Sequence, residues 1–197
     1  MIKLKPKQTY EEYIEHQKTK LEKKKEWITV WDKQHQIVLA KRLGHNSLIK
    51  KDMNVVCLGA RLGGEVRAFK NVGCRAIGID LNPGENNPNV IQGDFHNTGL
   101  GTATFDIVYC NCLDHVFNIG DFINEVVRLL KQNGVFILEV LKVDGVEPDD
   151  YAKVWWSKTD DVLLHFIESK LKLVDTTWYE EQRNHNTQVK QFCFRRV

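Results

Sequence analysis

The chain has 197 residues, 42% of them hydrophobic, which suits one domain with a sizeable core and a small N-terminal extension. Its formal net charge of +2 is too small to argue by itself for a nucleic-acid or acidic-membrane partner. No apolar run approaches membrane-spanning length, and the start is charged where a secretory leader would be apolar, so a soluble protein is expected.

Residues 9–25 are polar and helix-favouring, with Tyr10, Tyr13, Ile14 and Leu21 as sparse anchors. Lys18, Lys20, Lys23, Lys24 and Lys25 form a basic run there, read as a solvated helix face. A second helix is predicted over residues 27–43, where Trp27, Val30, Trp31, Ile37, Val38 and Ala40 give a rough stripe and Gly44 is a candidate C-cap. Strands and helices then alternate. Strand 54–58 leads through a glycine-bearing loop to helix 65–71, and strand 76–80 ends at Asp80 before a loop rich in Asn, Pro and Gly. A short strand, 90–92, ends at Gly93-Asp94, and strand 105–110 is apolar after Asp106. Helix 119–130 shows Phe122, Ile123, Val126, Val127, Leu129 and Leu130 at helical spacing, and residues 131–134 close it ahead of strand 135–140. A helix is predicted over 159–170, with Asp160 and Asp161 near the positive end of its dipole. Strands 171–179 and 188–195 read as an antiparallel hairpin across the polar loop 180–187.

Strands apolar throughout, alternating with helices, predict an α/β fold with a mostly parallel, doubly wound sheet covered on both faces. The predicted division is a helical extension over 1–46 and a ligand-binding domain over 47–197. The five cysteines, Cys57, Cys74, Cys110, Cys112 and Cys193, lie mostly in or beside apolar strands. They are read as reduced packing residues of a cytoplasmic protein. Cys110 and Cys112, two apart on a strand, face one side, and no second pair stands at zinc-ligand spacing, so no metal is predicted.

In an open parallel sheet, ligands bind beyond the carboxyl ends of the strands where strand order reverses. The polar residues of this region fall at such ends: the Gly59–Gly64 loop after the first strand, Asp80 after the second, Asp94 after the third, Asn111 and Asp114 after the fourth. Glycine has no Cβ to hold a ligand off the backbone N–H groups. An acid at Asp80 suits a bidentate grip on two ribose hydroxyls, so a nucleoside-containing cofactor is expected. The spacing Gly59-x-x-x-Gly63-Gly64 departs from the dinucleotide pattern Gly-x-Gly-x-x-Gly, and no Gly-Lys-Ser/Thr follows to make a P-loop.

Taken in order, five segments resemble the successive motifs of the class I S-adenosylmethionine-dependent methyltransferases, of the small seven-stranded kind called methyltransferase type 11. They are Val55-Val56-Cys57-Leu58-Gly59-Ala60-Arg61-Leu62-Gly63, Ala76-Ile77-Gly78-Ile79-Asp80-Leu81, Gly93-Asp94-Phe95, residues 105–111, and Arg128-Leu129-Leu130-Lys131-Gln132-Asn133-Gly134-Val135-Phe136. The resemblance covers residues 53–140 and implies a Rossmann-like seven-stranded sheet with S-adenosylmethionine as cofactor. It implies that Gly59 and Gly63, with Ala60 and Arg61 between them, bring the backbone to the methionine part. It puts Asp80 on the ribose hydroxyls, Leu81 against the adenine or ribose, Asp94 on the adenine amino group beside the Phe95 backbone, and Asn111 at the methionine end. Two positions depart from the pattern: Cys57 stands where the family has an acid, and Arg61 where it has a third glycine. Glu65 is placed to compensate in part for the first, while Arg61 either salt-bridges within the loop or meets the cofactor carboxylate.

Methyl transfer is an in-line displacement at an already activated carbon, so positioning supplies much of the acceleration and a base is needed only if the acceptor must lose a proton. His115 with Asp114 is the candidate catalytic pair, or else an acid–histidine part of the scaffold. His96 is a candidate for substrate contact or loop packing, and Trp155 and Trp156 for substrate stacking or lid packing. Asp144, Glu147, Asp149 and Asp150 are read as solvated. The fourth strand lacks the Asn/Asp-Pro-Pro-Tyr/Phe motif of many nucleic-acid and glutamine amino-methylating enzymes, having Asn111-Cys112-Leu113-Asp114 instead. The expected acceptor is a small molecule or a glycan-like polar group, bound between the N-terminal helices and residues 144–157. The alternatives are a nucleic-acid or protein methyltransferase using the Lys18–Lys25 run, or a cofactor-binding partner subunit that does not catalyse.

Overall fold

A computed structural model describes residues 2–4, 8–142, 150–181 and 187–197. After a short strand β1 (Ile2–Leu4), Thr9 opens helix α1 (Tyr10–Lys23) with a reciprocal cap. Its hydroxyl accepts the Glu12 N–H at 3.2 Å, and Glu12 accepts the Thr9 N–H at 2.9 Å. Thr9→Ala should therefore lower the local opening free energy of the α1 amides by about 1 kcal/mol. Hydrogen exchange should show this with the sheet amides unchanged.

Helix α2 (Lys25–His45) begins at once, after a single non-helical residue, Lys24. It runs past the predicted Gly44 cap: the cap is Asn46, whose N–H reaches the Leu43 carbonyl at 3.1 Å. A buried polar cluster fastens α2 to the sheet. Arg42 pairs with Glu139 at 3.0 Å, and Glu139 also accepts from Tyr109 and Gln191, each at 3.0 Å.

The remaining elements are β2 (Asn54–Leu58), α3 (Gly64–Asn71), β3 (Arg75–Asp80), β4 (Val90–Gln92), β5 (Phe105–Cys110), α4 (Ile119–Leu129), β6 (Leu130–Leu141), β7 (Val154–Trp156), β8 (Leu171–Glu181) and β9 (Thr187–Arg196). Seven strands form one sheet in the order β4-β3-β2-β5-β6-β9-β8. Its first five strands are parallel, and β9 runs antiparallel to both β6 and β8. Strand order reverses between β2 and β5, which sets the ligand crevice at their carboxyl ends. Both strands are apolar because each feeds two cores. Val56, Leu58, Val108 and Cys110 pack on the α4 side, while Val55, Cys57, Ile107 and Tyr109 pack on the α2–α3 side.

Three local expectations need correction. Strand β6 starts at Leu130, where a turn over 131–134 was predicted: Leu130 is buried, pairs with Phe105, and draws the chain into the sheet directly from α4. Residues 159–170 do not form an α-helix but a 3₁₀ helix over Thr159–Phe166, whose tighter winding puts Thr159 and Val162 on one buried face. The lysine run divides, since Lys23, Lys24 and Lys25 are exposed whereas Lys20 is only 8% exposed. An element absent from the sequence reading is a separate antiparallel pair of β1 with β7, joining Ile2 to Trp156. All five cysteines are buried free thiols, and Cys110 and Cys112 place their sulfurs 3.8 Å apart. Residues 143–149, with Asp144, Glu147 and Asp149, lie outside the described residues.

Candidate active site

The crevice holds a cavity lined from the sheet side by Gly59, Arg61, Asp80, Leu81, Asn82, Phe95, Cys112 and His115. From the outside it is closed by Tyr13, Gln17, Lys20 and Leu21 of α1 and Ile28 of α2. Gly59 has a positive φ of 73°, and a Cβ there would collide with the Cys112 sulfur, so both the backbone turn and the close approach of Cys112 require glycine. Gly63 (φ 85°) precedes α3, whose first N–H, on Gly64, donates to Asp32 of α2 at 2.7 Å. Asp32 also pairs with Arg67, so α2 supplies the side-chain cap that the glycine loop lacks.

Asp80 ends β3 with its carboxylate directed at this loop. It accepts the Arg61 N–H at 2.8 Å and the Asn82 N–H at 2.9 Å, which leaves further lone pairs on both oxygens. Burial pushes the Asp80 carboxyl up against the lowering effect of those two N–H groups and of Arg61. Arg61, at a φ of 42°, lays its guanidinium over Trp31 at 4.7 Å. Its Nη1 is buried with no hydrogen-bond partner among the described residues. Behind it, Glu65 is 2% exposed, accepts the Asn111 amide at 3.0 Å with one oxygen, and has no partner for the other among the described residues. Burial is the first cause that raises its pKa to about 7, against the pull of its own backbone N–H, Arg61 and Asn111.

The sequence-predicted residues divide accordingly. Gly59, Arg61, Asp80, Leu81, Phe95 and His115 line the cavity. Ala60 lies buried beneath it, and Asn111 turns its amide to Glu65 and to His35 Nε2, at 3.1 Å. Asp94 is held by the Tyr10 hydroxyl of α1 and by His96. Burial alone would raise the Asp94 carboxyl, but the hydrogen bonds from His96 and Tyr10 outweigh it and hold it below the usual range. Both nitrogens of His96 are engaged: Nε2 accepts the Phe117 N–H at 3.2 Å, so the ring hydrogen sits on Nδ1 and meets Asp94 at 2.8 Å. Trp155 and Trp156 lie in β7, and Trp156 is buried in the α4-side core. His115 Nε2 stands 3.1 Å from Lys20 Nζ and 3.3 Å from Asp114. Sequence reasoning put the N-terminal helices on the acceptor side but named none of the wall residues as site residues. The wall's signal was the spacing of Tyr10, Tyr13, Gln17 and Lys20 at three to four residues, one face of a helix otherwise read as solvated.

Residues 56–138 match the family model described as a methyltransferase domain. The matched span runs from β2 to β6 and contains the glycine loop, Asp80, Asp94 and Asn111. Among solved structures it is similar to Burkholderia thailandensis 1,6-didemethyltoxoflavin-N1-methyltransferase with bound 1,6-didemethyltoxoflavin and S-adenosylhomocysteine. That similarity has a TM-score of 0.75 at 17% identity and covers 100% of this chain and 95% of that one. A chain of the Haloferax volcanii complex containing the Trm112 methyltransferase activator matches with a TM-score of 0.71 at 14% identity over 89% of this chain and 96% of that one. Geranyl diphosphate methyltransferase in complex with S-adenosylmethionine matches with a TM-score of 0.61 at 13% identity over 82% and 85%. No curated protein sequence matches the chain.

The crevice has groups that S-adenosylmethionine would need. Asp80 has lone pairs to spare, and Arg61 Nη1, without a partner among the described residues, suits a carboxylate. Among the described residues no helix is long and apolar enough to cross a membrane.

Proposed function

We propose that the chain methylates a small molecule held between the crevice and helices α1 and α2. The observation that carries this reading is the outer wall: Tyr13, Gln17, Lys20, Leu21 and Ile28 close the cavity over the strand ends, which suits a compact acceptor better than a polymer. Asp80 would hold the ribose, Phe95 and Leu81 the adenine side, and Gly59 with Arg61 the methionine end. Asp94 would meet the adenine with the oxygen that accepts from Tyr10. The cofactor supplies an electrophilic methyl group, and the residues of this chain bind, orient and exclude water. Residues 1–46 serve as the substrate-side extension in this reading, with the methyltransferase domain over 47–197. The Burkholderia enzyme, which has 1,6-didemethyltoxoflavin bound, supports the same acceptor class. Five buried free thiols suit a reducing compartment, so the cytoplasm is the location we propose.

Calorimetry tests the reading. S-adenosylmethionine and S-adenosylhomocysteine should bind and NAD should not; binding of NAD alone would overturn it. Titration with RNA at rising salt tests the polymer alternative, because phosphate contacts would give a steep loss of affinity.

A further inference from the structure

We propose that α1 is a strap that must lift to admit the cofactor, and that the Tyr10 hydroxyl latches it shut on Asp94; this rests on the methyl-transfer reading above. The cavity lies beneath α1, whose Tyr13, Gln17, Lys20 and Leu21 form its roof. The helix touches the rim at three separate places. Tyr10 bonds Asp94 after β4, the Lys18 carbonyl accepts the Asn82 amide after β3 at 2.8 Å, and Gln17 donates to the Tyr151 carbonyl ahead of β7 at 2.8 Å. Contacts this close leave no gap through which a purine could pass.

Of the two covering helices, α1 is the one built to move. Two of its fourteen residues are buried, Tyr13 and Lys20, against seven of twenty-one in α2. Ion pairs also fasten α2 to the body, Arg42 to Glu139 and Asp32 to Arg67, and Asp32 accepts the Gly64 N–H as well. Lys24, at φ −127° and ψ 25°, breaks the two helices into separate bodies. Beyond the other end of α1, β1 pairs with β7, so the helix is fastened at both ends and lifts or rolls between them. An element with little buried surface opens locally at low cost, and such openings commonly gate ligand entry.

Asp94 is the residue that the resemblance assigns to the adenine amino group. One of its oxygens takes the His96 backbone and ring N–H groups, each at 2.8 Å, and the other takes Tyr10. Burial first, and then the Asp94 carboxylate, push the Tyr10 hydroxyl up, so it stays protonated and donates a charge-assisted bond. The cavity lining reaches Phe95 and stops short of Asp94, so the adenine gains this carboxylate only when Tyr10 leaves it. The latch bond therefore stabilises the closed state alone, and the apparent affinity is the intrinsic one reduced by the fraction of protein that is open. The Tyr10 ring packs at 5.7 Å from Tyr13 and 5.1 Å from Phe117, so phenylalanine can keep the packing without the hydroxyl.

Tyr10→Phe should accordingly bind S-adenosylhomocysteine about tenfold more tightly than wild type by calorimetry, the opposite of what loss of a ligand-binding or merely structural side chain gives. Hydrogen exchange on the ligand-free proteins should show the α1 amides opening together and ahead of those of α2, with Tyr10→Phe speeding α1 alone. Melting temperatures check that the variant folds, and the wild-type exchange pattern stands whatever the variant does. Equal or weaker binding by a folded Tyr10→Phe, or α1 exchanging in step with α2, would sink the strap and its latch. Failure of wild type and variant alike to bind S-adenosylhomocysteine would instead bring down the methyl-transfer reading itself.

Discussion

Asp80→Ala should weaken S-adenosylhomocysteine binding by tenfold or more. The side chain closes β3 at the switch point and accepts the Arg61 and Asn82 N–H groups at 2.8 and 2.9 Å. In the proposed complex its remaining lone pairs receive the ribose hydroxyls. A hydrogen bond to a charged group contributes about 1.5–3 kcal/mol, and each 1.4 kcal/mol is about a factor of ten in affinity. Truncation also strips two loop N–H groups of their acceptor, so the glycine loop that carries Arg61 loses its anchor. Asp80→Asn separates the two effects. It keeps one oxygen for the loop and removes the charge, so its affinity should fall between wild type and alanine. Calorimetry on all three proteins, with melting temperatures to confirm folding, gives the result. Equal affinity in Asp80→Ala would mean that the ribose is not held at the end of β3.

The parallel sheet was legible because its strands are apolar on both faces, and β4 and β5 have the predicted bounds. The sheet side of the cavity was legible for a related reason: polar residues placed just after apolar strands stand out. Helix ends were less so, because Gly44 has the composition of a cap while Arg42, paired with Glu139 across the sheet, keeps the last turn of α2 in place. The β1–β7 pair left no local signal, since Ile2–Leu4 is three residues long and its partner strand lies near the other end of the chain. Which residues of the N-terminal helices form the wall was hidden in the same way. Lys20 belongs by sequence to a run of lysines, and only the docking of α1 over the crevice brings it to His115 and buries it. His96 looked available for substrate until the fold brought the Phe117 N–H to its Nε2.

Glu65 should make the stability of the ligand-free protein fall between about pH 4.5 and pH 7. Burial is the main cause of its raised pKa, with Asp32 adding to it and the Glu65 backbone N–H, Arg61 and Asn111 opposing. His35 Nε2 also faces the carboxylate, 3.8 Å from Oε1, and Cys57 stays a protonated thiol because burial raises it first and Glu65 second. The folded state therefore holds the proton more tightly than the unfolded chain. That contribution is complete below the unfolded value of 4.5 and is lost as pH climbs through about 7. The difference amounts to about 3 kcal/mol for this group alone. Carboxylates held low, such as Asp94 and Asp106, contribute with the opposite sign and at lower pH, so the comparison must be against Glu65→Gln. The glutamine keeps an oxygen for the Asn111 amide and cannot ionise, so the variant should gain on wild type as pH rises from 5 to 8, then hold a constant lead. Urea unfolding of both proteins across that range measures the gap. A gap that does not change with pH would mean that Glu65 ionises in the folded protein as it does in water, and that its orphaned oxygen is solvated.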